Sequence, residues 1–427
     1  MPCLRWTEAL PTEQSQSSAS RSTSTSASAD EKKKSSACSS ALPIQASSFL
    51  SRLPNHISLS DLALPGTHET LARSGWPVSQ CQTRSVLQQL NGGVRFFDIR
   101  IGIKRFHSAS ASASALDSAH AQQSQCGATV GARAEKSESE SESGRAALKV
   151  KSPLDEQRKD WRMWAFHGIT DQKMDFGRVL MDVSQWLSAV GKGETVVLSL
   201  KPEGGMKVTP DEWVDFLYEA YIDPNEAWWY LKDEIPRLKD VRGRMVLFSR
   251  FGRQEGRQDR LGRWGINARR WPDGLDDVFS FHLTNPAQSV HIQDAYKMSG
   301  IMSSSTALRK VELIGTLLDK KRADAPSLAL NFCNGSSFPL ALPPIVARGI
   351  SNPPCLRVQG MNQRLLFLLQ QHLDAQSGPP PPPPTSEGKT FAAAAKRGLA
   401  CIFAIDFFEA DLIAQEVVRL IILANFV

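Results

Sequence analysis

Eight short apolar runs, separated by helix-patterned segments, constrain this fold more than any other feature of the chain. They are ISLSDLALPG (57–66), GVRFFDIRI (93–101), RMWAFHGI (162–169), ETVVLSLKPE (194–203), GRMVLFSRF (243–251), SVHIQDAYK (289–297), LALNFCNG (328–335) and CIFAIDFFE (401–409). Several are almost continuously apolar, as strands covered on both faces are. Between them, Phe176, Leu180, Val183, Leu187 and Val190 recur at helical spacing, and Gly191 follows as a C-terminal stop. Pro210-Asp211 opens a second helix, and ADLIAQEVVRLIILANF closes the chain with a third. Strands alternating with helices predict an α/β fold, a single distorted (β/α)8 TIM barrel, the distortion following from irregular connections. A doubly wound open sheet would need a Gly-rich phosphate turn after its first strand, and none is present.

Three segments stand outside that pattern. Residues 1–48 form a tail rich in Ser, Thr, Ala and Lys, 107–155 carry SASASASALDS and EKSESESESG, and 376–390 carry a run of six prolines. None buries enough apolar surface to offset the entropy of ordering, so each is expected to be a disordered tail or loop insertion. The catalytic domain is accordingly expected over 49–427. The Pro run reads as a stiff spacer, with an SH3-type partner as the weaker alternative. The seven cysteines are scattered without a C-x-x-C pair, which argues against a zinc site or a disulfide framework. A net charge of +6 with no basic-aromatic groove argues against nucleic acid and favours anionic surfaces or phosphorylated ligands. No signal peptide and no apolar run long enough to span a bilayer is visible, so a cytoplasmic or peripheral membrane location is the default expectation.

In a barrel of this type the site lies at the C-terminal ends of the strands. Those ends carry His68 and Glu69, Asp98 and Arg100, His167, Lys201 and Glu203, Arg250, Asp294 and Tyr296, and Asp406. Singly, each has a plain structural role: a strand terminator, a core hydrogen-bond acceptor, a solvated end or a rim packer. Together, two imidazoles, an arginine and several carboxylates at one mouth make a phosphoryl-transfer constellation. Cleavage of a phosphodiester uses one imidazole as general base, the other as general acid, and a cation on the phosphate. Arginine suits the last role because its fork meets two oxygens at once.

PGTHET, GVRFFDIR, the FHG of WAFHGI, ETVVLSLKPE, IQDAYK and AIDFF occur in an order that resembles phosphatidylinositol-specific phospholipase C, in its bacterial, single-domain X-domain form. The resemblance spans roughly residues 50–427 without the insertions. It implies His68 as general base oriented by Asp406, His167 as general acid, Arg100 on the phosphate and Asp98 as the neighbouring carboxylate. It further implies Lys201, Arg250, Asp294 and Tyr296 as inositol contacts, and a reaction releasing diacylglycerol and cyclic inositol phosphate. One position departs from the family pattern: Glu69 stands where GTHDS has Asp, lengthening the carboxylate by one methylene. Calcium-dependent relatives place an acidic pair on the second strand, whereas this chain has Asp98 and Arg100; a guanidinium in a ligand position implies a metal-independent site with no cofactor.

The expected substrate is a phosphoinositide or GPI-type lipid at a peripheral membrane surface. A glycerophosphodiester phosphodiesterase-like enzyme is the rival activity, and a catalytically inactive phosphoinositide-binding module the rival class. Trp161, Trp164, Trp228 and Trp229 are read as core packing rather than as interfacial aromatics.

Overall fold

The computed structural model describes residues 44–106, 148–149, 158–254, 262–297, 304–324, 326–336, 341–350, 358–376 and 399–426. Nearly all of the tail, the 107–155 insertion but for Leu148 and Lys149, and the Pro run lie outside the described residues.

The strands are β1 Leu64–Thr67, β2 Phe96–Arg105, β3 Trp161–His167, β4 Thr170–Asp175, β5 Thr195–Pro202, β6 Trp229–Tyr230, β7 Arg244–Ser249, β8 Ile266–Asn267, β9 Val278–His282, β10 Ser289–Gln293, β11 Ser327–Phe332 and β14 Ile402–Ile405, with β12 Gly349–Ile350 and β13 Val358–Gln359 forming a separate small hairpin. The main sheet runs β6-β7-β5-β2-β1-β14-β11-β10-β9, and its pairs are parallel except where β9 meets β10. The strands of this parallel core are buried on both faces, which is why they read as unbroken apolar runs. The barrel-like α/β reading is therefore borne out.

The third run is corrected. Instead of a barrel stave, β3 is the first arm of an antiparallel hairpin with β4, built on the overlong end of β2, where Ile101–Arg105 face Ala165–Trp161. Its own sequence carries the signal: Trp161, Met163 and Ala165 are buried, while Arg162 and Trp164 are only half-buried. That alternation marks a half-covered antiparallel strand.

Sheet closure is also incomplete. On the far side of β7, β6 and β8 each pair with two of its residues, and among the described residues neither reaches β9. The Asp233 carboxylate spans that seam instead, accepting from Asn267 N on β8 (3.0 Å) and from Thr284 N (3.0 Å) and Oγ1 (2.6 Å) just beyond β9.

The helices are α1 Val86–Asn91, α2 Phe176–Ser188, α3 Pro210–Leu217, α4 Leu238–Val241, α5 Ser304–Ala323, α6 Pro343–Arg348, α7 Met361–Gln376 and α8 Leu412–Leu423. Caps explain several starts: Thr209 and Glu212 form a reciprocal capping box on α3, and Asp175 and Asp411 cap α2 and α8. Gly191 follows α2 where a side chain would strike the Trp186 ring. The α8 end buries Ile421 and Ile422. Trp161, Trp228 and Trp229 are buried in the core.

Opposite the mouth, Arg95 is fully buried between the rings of Phe49 and Trp186. Its donors reach Glu194 (2.9 Å) and the carbonyls of Leu90, Val94, Ala46 and Ser47. Ile44 is buried as well, so packed chain begins inside the segment assigned to the tail; Arg95 needs the carbonyls that lie there. No helix among the described residues is long and apolar enough to cross a membrane.

Candidate active site

His68 and Asp406 follow immediately on neighbouring parallel strands β1 and β14, paired Thr67 to Ile405, which sets the two side chains together across 338 residues of chain. The residues after them, Glu69 and Phe407, both take positive φ (44° and 54°), turning the chain away at once. Such conformations cost about 1–2 kcal/mol each in non-glycine residues, and the fold retains them where the site is built. Buried Gln82 ties the two turns together, its Nε2 donating to the carbonyls of His68 (2.8 Å) and Ile405 (2.9 Å).

The hydrogen bonds assign the His68 tautomer. Nδ1 lies 2.8 Å from Asp406 Oδ1, an acceptor, so Nδ1 carries the proton. Nε2 then holds a lone pair, and the two groups beside it are both donors, Arg100 Nη2 and Asn334 Nδ2, each at 3.2 Å. A bare Nε2 held by donors is a poised proton acceptor.

Arg100 is the hub of the site. Its Nη1 lies 2.7 Å from Glu69 Oε1 and 3.2 Å from Glu203 Oε2, and its Nη2 lies 3.3 Å from Asp98 Oδ2. Glu69 in turn faces His167 Nε2 at 3.7 Å. The path His68, Arg100, Glu69, His167 is therefore continuous, linking the two imidazoles through one guanidinium and one carboxylate. On its other side His167 Nδ1 donates to the Ser79 carbonyl at 2.7 Å, directing Nε2 inward, and buried Cys81 Sγ lies 3.9 Å from the same Nδ1.

Electrostatics sort the carboxylates. Burial would raise Asp98, but Arg100 and Arg250 overcome it and hold the carboxyl down at about 2, so it is a permanent anion. Glu69 goes the other way: burial, with Glu203, Asp98 and Asp406 nearby, pushes it well above the usual carboxylate range despite Arg100. Burial also lowers His167, helped by the nearby Arg100 guanidinium and opposed by its bond to Ser79 and by Glu203. Glu69 is thus the carboxyl beside His167 Nε2 whose ionised form burial disfavours.

Arg250 lies at the floor, its guanidinium stacked 3.5 Å from the centre of the Trp271 ring, with Asp98 at 3.5 Å and Asp294 at 3.6 Å. Burial raises Asp294, opposed by Arg250 and by the wholly buried Lys310 ammonium behind it. Lys201 reaches Asp273 at 2.8 Å and Glu203 at 4.0 Å on the open side. Arg100 Nε and Arg250 Nη1 are buried and donate no hydrogen bond among the described residues, although Arg250 Nη1 faces the Asp98 carboxylate at 3.5 Å.

The structure therefore gathers His68, Glu69, Asp98, Arg100, His167, Lys201, Glu203, Arg250, Asp294 and Asp406 around one mouth. Tyr296 is the exception: it is half-buried, its carbonyl accepts from Ser336 N (2.9 Å), and among the described residues its side chain makes no hydrogen bond to the cluster. Sequence reasoning missed Asn334, Trp271, Asp273 and Lys310. Only Asn334 had a legible signal, as the polar residue ending the seventh run, which otherwise contributed no candidate.

The fold and this mouth define a barrel-type α/β protein with a His/His/Arg cluster at the strand ends. No protein-family model matches the chain. It is 23% identical over 323 residues to 1-phosphatidylinositol phosphodiesterase of Staphylococcus aureus (strain Newman), covering 71% of this chain and 81% of that protein. It is 25% identical over 214 residues to a protein of the same name from Listeria monocytogenes, covering 47% and 48%. Crystal structures of Staphylococcus aureus phosphatidylinositol-specific phospholipase C, one in a study of its membrane binding, superpose with TM-scores of 0.54 and 0.53 at 18% identity, covering 88% of this chain and 97% of each. The resemblance drawn from the ordered motifs is the one these comparisons return.

Proposed function

We propose that this chain is a phosphodiesterase that cleaves phosphatidylinositol-type lipids. The observation that carries the reading is the assigned tautomer of His68, with its bare Nε2 and Arg100 set between it and the Glu69–His167 pair. His68 Nε2 takes the proton of the inositol 2-hydroxyl, whose oxygen attacks phosphorus. Arg100 holds the phosphate oxygens and the bond from phosphorus to the diacylglycerol oxygen breaks. His167 delivers a proton to that leaving oxygen, releasing diacylglycerol and cyclic inositol phosphate. An incoming phosphodiester adds negative charge beside His167 and so favours its protonated form. Lys201, Arg250 and Asp294 are placed to contact inositol hydroxyls, with Glu203 and Asp98 holding the two arginines in register. Because Arg100 and Arg250 already neutralise the carboxylates, the site works without a metal. Residues 49–427 then act as one catalytic domain.

A membrane surface is the setting for this chemistry. Ile169, at the tip of the hairpin that carries His167, is 97% exposed, and Trp76 (62%) and Val78 stand out from the adjoining loop. Apolar side chains exposed beside the mouth fit a lipid surface.

The test is release of cyclic inositol phosphate from phosphatidylinositol vesicles in chelator, wild type against His68→Ala, with phosphorylated and glycosylated phosphatidylinositols in parallel. Turnover by wild type and its loss in the variant are expected. Binding without turnover refutes the reading in favour of a lipid-binding module; turnover only on added calcium refutes its metal independence.

A further inference from the structure

The proton donor sits beside the exposed tip of a hairpin. The β3–β4 hairpin projects beyond the parallel sheet, and His167 pairs with Thr170 across a two-residue turn whose first residue, Gly168, has φ +58°. Nothing lies within 4 Å of where a Gly168 side chain would begin, and Ile169 is almost wholly exposed. Packing therefore does not hold this tip; polar tethers do. On one side, Ser79 binds it twice, through its carbonyl to His167 Nδ1 and through its hydroxyl to Thr170 Oγ1 (2.9 Å). On the other side stands Glu203, just past β5. Its Oε1 accepts the Gly168 N–H, and its Oε2 lies 3.2 Å from Arg100 Nη1. Glu203 is itself held rigidly, since its N–H donates to Ile101 O at 3.0 Å, and the following Gly204 lies so close to Phe166 that a side chain would clash with the ring.

We infer that Glu203 is a positioning residue for the proton donor: one carboxylate locks the hairpin tip, and so His167, to the same guanidinium that holds the phosphate. This rests on the phosphodiesterase reading. The consequence is that the distance between donor and phosphate is set by one side chain bridging β2, β5 and the hairpin, rather than by hairpin stability. Glu69 contributes differently, since it touches the His167 ring and not the hairpin backbone.

Dependence on the leaving group separates this role from a general one. Diacylglycerol leaves as a poorly stabilised alkoxide and needs a positioned acid, worth about 10²–10⁴-fold; a nitrophenol leaves without one. Glu203→Ala, Glu203→Gln and wild type are compared for kcat on phosphatidylinositol and on a nitrophenyl ester of inositol phosphate. Misplacing an acid by about 1 Å costs on the order of 10²-fold. Glu203→Ala is expected to lose about that much on the lipid and at least about tenfold less on the nitrophenyl ester. Glu203→Gln, whose amide oxygen still accepts from Gly168 N but whose NH2 cannot accept from Arg100, is expected to show the same selective loss in smaller measure. Equal losses on both substrates in Glu203→Ala, or a wild-type ratio of the two rates in Glu203→Gln, overturns the inference. Failure of the wild type on both substrates would instead sink the phosphodiesterase reading, and the positioning role with it.

Discussion

Replacing Arg100 by lysine asks whether the guanidinium acts on substrate or only balances buried carboxylates. Its two terminal nitrogens are divided between Glu69 and Glu203 on one side and Asp98 and His68 Nε2 on the other. An ammonium keeps the charge but presents one nitrogen, so it cannot meet two phosphate oxygens and His68 from fixed positions. Loss of one charge-assisted hydrogen bond in the transition state is worth about 1.5–3 kcal/mol, or on the order of 10–10²-fold in rate at ~1.4 kcal/mol per decade. Freeing His68 Nε2 from its neighbour adds a loss of orientation. Arg100→Lys is therefore expected to lower kcat on phosphatidylinositol vesicles by about 10²-fold while KM moves less than about threefold. Because the charge persists inside the carboxylate cage, the melting temperature should stay within a few degrees of wild type. Arg100→Ala, which leaves the cage uncompensated, is expected to lose about 3–5 kcal/mol of stability. Turnover by Arg100→Lys within about threefold of wild type, with the fold intact, would refute a role on the phosphate and leave Arg100 a structural counter-ion.

Four further outcomes follow from the same structure. Asp406→Asn removes the carboxylate that keeps the proton on His68 Nδ1; kcat is expected to fall by about 10²–10⁴-fold with little change in KM, measured by cyclic phosphate release. Arg95→Met strands the buried Glu194 carboxylate, and denaturant unfolding should show a loss of about 3–5 kcal/mol. Asp233→Ala unfastens the seam between β8 and β9, at about 1–3 kcal/mol by the same measurement. Burial holds His291, bonded to Ser280 Oγ, down at about 4, so the folded chain keeps it neutral. The unfolded chain takes up a proton once pH falls below about 6.5, so His291 contributes stability that is lost between about pH 6.5 and pH 4; calorimetry should show a smaller acid drop in melting temperature for His291→Gln.

The amino-acid sequence by itself determined the repertoire. Unbroken apolar runs marked the parallel strands, Pro210-Asp211 marked a helix start, and polar residues at strand ends supplied ten of the side chains now found at the mouth. These are local signals, because burial and hydrogen bonding within a strand or helix depend on neighbours a few residues away. What only the tertiary structure decided is pairing. That His167 stands on an antiparallel arm, that Asn334 and Arg100 flank His68 Nε2, that Asp233 closes the sheet and that Glu203 spans two elements all depend on partners distant along the chain. Tyr296, read as a site residue from its place at a strand end, shows the limit of the local rule. Such contacts are set by the curl and register of the whole sheet, and no short stretch of residues encodes the residue it will face across it.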